Sequence, residues 1–482
     1  MSVGKSSPQS CRASAPLSIS LPGAPPKSCA HLMPSTPCTQ EAWHETTLNC
    51  LRTDDHAGLD WLSRHQLSNA SPSGPRVVEA RMASAPAIDL HVPESPVLDR
   101  TALIGLFRWL AVAGSHPVAV DLSGQQLEPA MADALADMLK KTVRLTSLKL
   151  IDCMLPDADV QKVCTAMADN KSVLALHLCD NTCPQSASAI ALMLQQNSTL
   201  KTLALESCGL EETGIEAIGT AASNNRILEE LHLGDNEWGD KGWSAMTTVL
   251  ENAALLDLRM GLVERPLETV FAAFCEALEN NTTLKRLTFG DENELSRAQA
   301  DCLNQALEKN ASLDHLEMLC RPFTSLSGSS QEPAHRGWIN NCRLRSVSLE
   351  ALRFTQPECD ALTSLLEHSE SRLTSLALKA FNVTGDVRRS LVNAITKNRN
   401  LKHLEVDRGA VGISGDQSDA IDRALERNRK LHVAAGKAVH QLWNRSGPSW
   451  PTDMAIELGE AFADCTTGST MTAVVEALFI KV

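Results

Sequence analysis

The sequence predicts an α/β solenoid of about eleven strand–helix repeats, 25–31 residues each, that share one parallel β-sheet. Three observations carry this expectation. An eleven-residue phrase, Leu-x-x-Leu-x-Leu-x-x-Asn/Cys-x-Leu, returns about every 28 residues between Val118 and Val411. Inside each copy apolar and polar residues alternate, as in Leu148-Lys149-Leu150, which suits a short strand with one buried face. Between copies the apolar residues fall at helical spacing: Ile215, Ala217, Ile218 and Ala221 in Thr213–Ser223 oppose Glu212 and Glu216. One such unit cannot bury its own apolar face, so neighbours stack and share a core.

The elements follow in chain order. Residues 1–40 hold nine Ser and seven Pro, and no periodicity appears before about Ala87. Such a composition cannot bury enough apolar area to offset ordering, so residues 1–85 are expected to be a disordered leader. Leu17–Leu21 is too short for a signal peptide and is closed by Pro22, while the apolar piece Leu103–Ala113 is interrupted by Arg108. Ile88–Val92 and Leu98–Ala113 read as a strand and a helix that form an N-terminal cap over residues 86–117. The repeats occupy residues 118–430. A weak copy at Val118, Val120 and Leu122 precedes four clear ones, which open at Leu145, Val173, Leu200 and Leu228. Looser copies follow around Leu256/Leu258, Leu284, Leu313, Leu344, Leu373 and Leu401.

Two kinds of junction are marked. Cys153, Asn181, Cys208 and Asn236 stand where the chain leaves each strand, and a small polar side chain there can serve buried turn groups. The helices are expected to end on Asn170-Lys171, Asn224-Asn225, Asn280-Asn281, Asn310, Asn398-Arg399 and Asn428-Arg429, because Asn tolerates the left-handed conformation. The Asp235–Asn252 unit reads as short, with 25 residues between strand positions. Ser325–Arg336 has loop composition. Residues 431–482 are expected to be a helical C-terminal cap built from Ala435–Trp443, Asp453–Asp464 and Met471–Ile480.

Composition narrows the functional classes. The net charge of −14 disfavours nucleic acid as a partner. Fifteen Cys, several at turn or helix-core positions, suit a reducing compartment in which buried Cys acts as a small hydrophobe. No catalytic residue, metal site or cofactor is expected: His44-Glu45-Thr46-Thr47-Leu48 lacks the second His of a metalloprotease pair, and neither Cys-x-x-Cys nor a phosphate-binding Gly-rich loop occurs. Binding is expected instead on the side chains that alternate with the strand leucines and face the concavity. These are Lys149, His177, Glu206, Glu230, His232, Asp257, Arg259, Arg286, His315, Glu317, Glu350, Lys379, His403 and Glu405. The four His are expected to face solvent. The implied partner is a protein, with no membrane insertion.

The repeat phrase, its period and the Cys/Asn alternation resemble the ribonuclease-inhibitor subtype of leucine-rich repeats, over roughly 300 of 482 residues. That resemblance implies a horseshoe with the parallel sheet on the concave face and wider helices outside, and a non-enzymatic protein-binding role. A Ser/Pro-rich leader before a Cys-rich solenoid, with Arg outnumbering Lys, resembles bacterial type III-secreted leucine-rich-repeat effectors. This implies action in the cytoplasm of a host cell, the alternative being an ordinary cytoplasmic protein. Some such effectors are ubiquitin ligases with a Cys-x-Asp nucleophile, but no Cys here has Asp two residues on. Others are adaptors for host ubiquitin ligases through a Leu-Pro-rich F-box, of which Ser20-Leu21-Pro22-Gly23 offers little. A cytosolic inhibitor or regulatory scaffold of ribonuclease-inhibitor type is the other reading.

Overall fold

Along Leu145–Lys149, Leu145 and Leu148 are fully buried and Thr146, Ser147 and Lys149 partly exposed, a register shift at the start of the strand separating Leu145 from the alternation of Ser147, Leu148 and Lys149. The same division recurs in the computed structural model, which describes residues 88–91, 100–112, 117–263, 265–291, 296–318, 341, 343–351, 356–368, 371–380, 385–406 and 412–444. The 1–85 leader, the Ser325–Arg336 loop and the Asp453–Asp464 and Met471–Ile480 helices lie outside the described residues. The chain divides into two compact units, Met1–Ala83 with Arg100–Trp109, and Ser84–Asp99 with Leu110–Val482. In the first, the described residues lie in helix α1 (Arg100–Ala111), with Leu103, Leu106, Phe107 and Trp109 buried.

The second unit is the solenoid. Among the described residues twelve strands form one sheet whose spatial order is the chain order. They are β1 (Ile88–His91), β2 (Val118–Asp121), β3 (Leu145–Lys149), β4 (Ala175–His177), β5 (Thr202–Ala204) and β6 (Glu230–His232), then β7 (Asp257–Val263), β8 (Arg286–Asp291), β9 (His315–Met318), β10 (Ser346–Ala351), β11 (Ser375–Ala380) and β12 (His403–Val406). Each pairs in parallel with the next. Leu148, Leu176, Leu203, Leu231, Leu258 and Leu287 stand in one lateral row across β3 to β8. All are at most 1% exposed, and each fully buried Leu contributes roughly 1.5–3 kcal/mol of transfer free energy. The expected first-cap strand is thus the first member of the same sheet, paired Ile88 to Val118.

Helices return the chain between strands: α2 (Pro129–Lys141), α3 (Asp157–Ala168), α4 (Ala187–Gln196), α5 (Glu212–Asn224), α6 (Gly239–Asn252), α7 (Glu268–Asn280), α8 (Arg297–Lys309), α9 (Gln356–Glu367), α10 (Gly385–Lys397) and α11 (Gly415–Asn444). Each of these buries one apolar stripe, such as Ile215, Ile218 and Ala222 in α5. An aromatic block thickens the core at one point, where Trp243 meets the edges of Phe271 at 5.3 Å and Phe274 at 5.0 Å between ring centroids.

Three expectations are corrected. First, the helix-ending asparagines are not left-handed. Asn197, Asn225, Asn281 and Asn310 are extended, with φ between −60° and −83°. They act through their side chains. Asn197 Nδ2 donates to Met167 O at 2.6 Å and Asn170 O at 3.1 Å, while its Oδ1 accepts from the Thr199 and Leu200 amides. Asn225, Asn310 and Asn341 repeat this stitch to the previous repeat. Left-handed backbone falls instead at the strand exits, on Asp152, Asp180, Ser207 and Asp235 with φ of 52° to 58°, directly before Cys153, Asn181, Cys208 and Asn236. Second, the Asp235–Asn252 unit is not short: Leu231 pairs with Leu258, so Leu258 holds the middle strand position and not the last one. Third, α11 runs unbroken through Asn428 and takes in Ala435–Trp443, with no Pro or Gly pair to stop it before residue 444.

The Cys/Asn alternation has a direct physical cause. Asn181 Oδ1 accepts from the amides of Cys153 and Leu155 in the previous repeat, and Nδ2 donates to Leu150 O, Leu178 O and Cys179 O. Asn236 does the same for Cys208 and Leu210. One Asn therefore satisfies two turns, and the intervening turn needs only a small donor. Cys153 and Cys208 supply it, through Sγ to Leu122 O at 3.1 Å and Leu178 O at 3.3 Å. Burial pushes the Cys153 and Cys164 thiols up to about 12, so neither is a reactive thiolate.

Candidate functional site: a charged cluster on the sheet face

Parallel register turns the outward side chains of successive strands into lateral rows. One row runs Ser147, Ala175, Thr202, Glu230, Asp257, Arg286 and His315; the next runs Lys149, His177, Ala204, His232, Arg259, Thr288 and Glu317. Residues almost thirty positions apart in sequence thereby become neighbours, and on β6–β8 they form a salt-bridged cluster.

Asp257 is its centre. Its side chain is only 1% exposed, yet Oδ2 accepts from Arg286 Nε at 2.7 Å and from Arg259 Nη2 at 3.3 Å. Arg286 Nη2 reaches on to Glu230 Oε1 at 2.9 Å, and Glu230 Oε2 accepts from Thr202 Oγ1 at 3.1 Å. Two carboxylates thus hold Arg286 in a fixed pose. Arg259 is the looser member, 44% exposed and with longer bonds. His232 Nε2 stands 3.9 Å from Asp257 Oδ2 and has no hydrogen-bond partner. Burial, followed by the charge of Arg259, drives the His232 pKa down to about 4; burial and Lys149 do the same for His177. Both imidazoles are neutral at pH 7.

A β-bulge between Arg259 and Gly261 lies beside this cluster. Gly261 has φ +64°, and a Cβ there would sit 2.5 Å from Gly234 Cα, so the exit of β6 and the bulge of β7 approach closely only because both residues are Gly. The bulge leaves Arg259 next to bare backbone.

The predicted positions divide into three groups. The structure brings together Glu230, His232, Asp257, Arg259 and Arg286. Lys149 and His177 lie in the same row on β3 and β4, with Lys149 Nζ 3.6 Å from Asp121, while Glu206 borders it and accepts from Cys179 Sγ at 3.4 Å. His315 and Glu317 belong to β9, and His403 and Glu405 to β12; Glu317 accepts from Thr288 and Ser348. Glu350 and Lys379 are register partners on β10 and β11, and their side chains lie outside the described residues. Two expectations fail here. Asp257 and His232 are buried rather than solvent-facing, because long side chains from adjacent repeats fold over them. Thr202 and Thr288 stand on the same outward rows, Thr202 donating to Glu230 and Thr288 to Glu317; Asp121, which pairs with Lys149, is the addition that sequence reasoning did not name. Among the described residues no group of three His, Cys, Asp or Glu could hold a metal ion, and no helix is long and apolar enough to cross a membrane.

A rigid parallel sheet presenting fixed charges is a surface suited to contact with another protein. The fold and this surface define a leucine-rich-repeat solenoid, and the "Leucine Rich repeat" family profile matches residues 196–219. The repeats are similar to those of ribonuclease inhibitor: the chain is 26% identical to the pig (Sus scrofa) protein of that name over 76% of this chain and 77% of that one. It is 24% identical to mouse (Mus musculus) NACHT, LRR and PYD domains-containing protein 14 over 58% of this chain, which spans 28% of that relative. Among solved structures, the leucine-rich-repeat-containing protein LegL7 of Legionella pneumophila aligns at 16% identity and TM-score 0.38, over 70% of this chain and 97% of that one.

Proposed function

We propose that the chain is a non-enzymatic binding protein that seats a protein partner on the outward face of its sheet, over the β6–β8 cluster. The observation that carries this reading is the fixed pose of Arg286 and the exposed Arg259 over the buried Asp257 carboxylate. Rigid, pre-oriented charges contribute specificity and association rate at an interface with little ordering cost. Nucleic acid fits poorly, since the net charge is −14. A partner captured from lysate should lose affinity at least about tenfold, roughly 1.4 kcal/mol, on charge reversal of Arg259 and Glu230. Undiminished affinity would move the interface to the helices.

We further propose that residues 1–85 deliver the protein from a bacterium into a host cell, where the partner resides. The Ser/Pro-rich composition of residues 1–40 supports this. Fusion of residues 1–85 to a reporter should send it into host cells from a strain with the secretion apparatus; a reporter retained in the bacterium would sink the delivery reading. The competing reading, an inhibitor that occludes an enzyme, draws support from the similarity to ribonuclease inhibitor over 76% of the chain. Inhibition of a ribonuclease by the purified chain would favour it.

A further inference from the structure

Asn-x-Ser/Thr is the acceptor triplet of N-linked glycosylation, and in a secreted protein it is expected on a surface loop. Here four such triplets begin at buried stitching asparagines: Asn170-Lys171-Ser172, Asn197-Ser198-Thr199, Asn281-Thr282-Thr283 and Asn310-Ala311-Ser312. These asparagines are 4%, 4%, 8% and 2% exposed. Their amide nitrogens, the atoms that would carry a glycan, are occupied. Asn170 Nδ2 donates to Leu139 O at 2.6 Å, Asn281 Nδ2 to Leu250 O at 2.7 Å, and Asn310 Nδ2 to both Leu278 O at 2.7 Å and Asn281 O at 3.2 Å.

The residue at the third place takes part in the stitch through its backbone at every site, and through a Ser hydroxyl at two. Its amide donates to the Asn Oδ1 in all four, and the Ser172 and Ser312 hydroxyls cap Thr142 O and Asn281 O of the preceding repeat. At Asn170 and Asn310 the stitch between repeats thus uses both the Asn and the Ser of the acceptor triplet, while at Asn197 and Asn281 the Asn and the backbone of the third residue carry it. Asn280-Asn281-Thr282 is an internal contrast: Asn280 is exposed on α7 and bonds only Glu276 O of its own helix.

We propose that N-glycosylation and closure of the repeats are mutually exclusive at these four asparagines, so that the solenoid forms only where the glycan-transferring machinery is absent. The transfer breaks the bond from the anomeric carbon of the glycan to its lipid-pyrophosphate carrier and joins that carbon to the Asn nitrogen. The lipid pyrophosphate leaves, and the amide gives up one proton. At Asn197 the nitrogen would keep one proton for two carbonyls, and the sugar would occupy the space of Met167 O, now 2.6 Å away. Buried carbonyls of the previous helix would lose their donor and the next repeat could not dock. This holds whichever partner the sheet face takes.

The test expresses the full chain in cultured mammalian cells, once in the cytosol and once behind a signal peptide that directs it into the endoplasmic reticulum. Glycans are mapped by mass spectrometry after enzymatic release, and folding is read by protease resistance of the repeats. The cytosolic chain should be unmodified and resistant. The redirected chain should carry glycans at one or more of the four asparagines and be protease-sensitive. Blocking synthesis of the lipid-linked glycan donor should restore resistance to the unaltered redirected chain. Ser172→Ala, Thr199→Ala, Thr283→Ala and Ser312→Ala together should do the same, provided that variant is resistant in the cytosol. A glycan on Asn280 alone should be tolerated. A resistant redirected chain glycosylated at any of the four would overturn the proposal. So would a resistant redirected chain left unmodified there, or a sensitive one that stays sensitive when the donor is blocked.

Discussion

Asp257 accepts a hydrogen bond from Arg286 at 2.7 Å although its own side chain is 1% exposed. The pair joins adjacent repeats, so a buried charge on one strand depends on a guanidinium supplied by the next. Removing one partner of a buried pair leaves an uncompensated charge and typically costs roughly 3–5 kcal/mol. Arg286→Ala should therefore lower the chemical-denaturation midpoint strongly, because it leaves the 1%-exposed Asp257 carboxylate with only the longer bonds from Arg259. Arg259→Ala, which removes an exposed group with bonds of 3.3–3.4 Å, should change stability by about 0.5 kcal/mol or less. Equal effects of the two substitutions would contradict the assignment of Asp257 as the centre.

The turn asparagines should be costlier than the turn cysteines. Asn236→Ala strands the amides of Cys208 and Leu210 and the carbonyls of Leu205 and Leu233. At about 1–3 kcal/mol for each unsatisfied buried group, the total loss should exceed about 3 kcal/mol. Cys208→Ala removes one weak thiol donor and should cost about 1 kcal/mol. Urea unfolding of the two variants provides the comparison.

His232 should make stability fall in mild acid. Its folded pKa, about 4, lies below the ordinary value of 6.5, so the unfolded chain takes up a proton first as pH drops. The contribution is intact above pH 6.5 and is lost progressively down to about pH 4. His177 acts in the same sense. His232→Leu should flatten this part of the stability–pH curve; a curve of unchanged slope would show that carboxylates govern it.

Much of this fold is legible in the sequence because each repeat restates it. Leu148 and Leu150 mark a strand, and Cys153 against Asn181 marks an exit, whichever copy is read. Mechanism was harder to read than position. The helix-ending asparagines were located, but their extended backbone was not, because the stitch they make reaches into the previous repeat. An Asn-Asn, Asn-Lys or Asn-Arg pair is an incomplete signal, since Asn197 and Asn341, followed by Ser and Cys, make the same stitch. The candidate site was legible only as a direction: alternation puts Asp257 and His232 on the outer face. Their burial arises from Arg286 and Arg259, whose reach across strands no single repeat discloses. Asn428 copies the helix-ending signal inside the long α11, so the continuation of that helix to Asn444 is not legible in the sequence.

Interface mapping by charge reversal tests the central claim most directly. Arg259→Glu and Glu230→Arg, made separately in the full chain, should each weaken a captured protein partner at least about tenfold. Their urea midpoints should show that the repeats remain folded, and Glu216→Arg on the opposite helical face should bind as the unaltered chain does. Full affinity in both sheet-face variants, with loss in Glu216→Arg, would contradict the claim and place the partner on the helices.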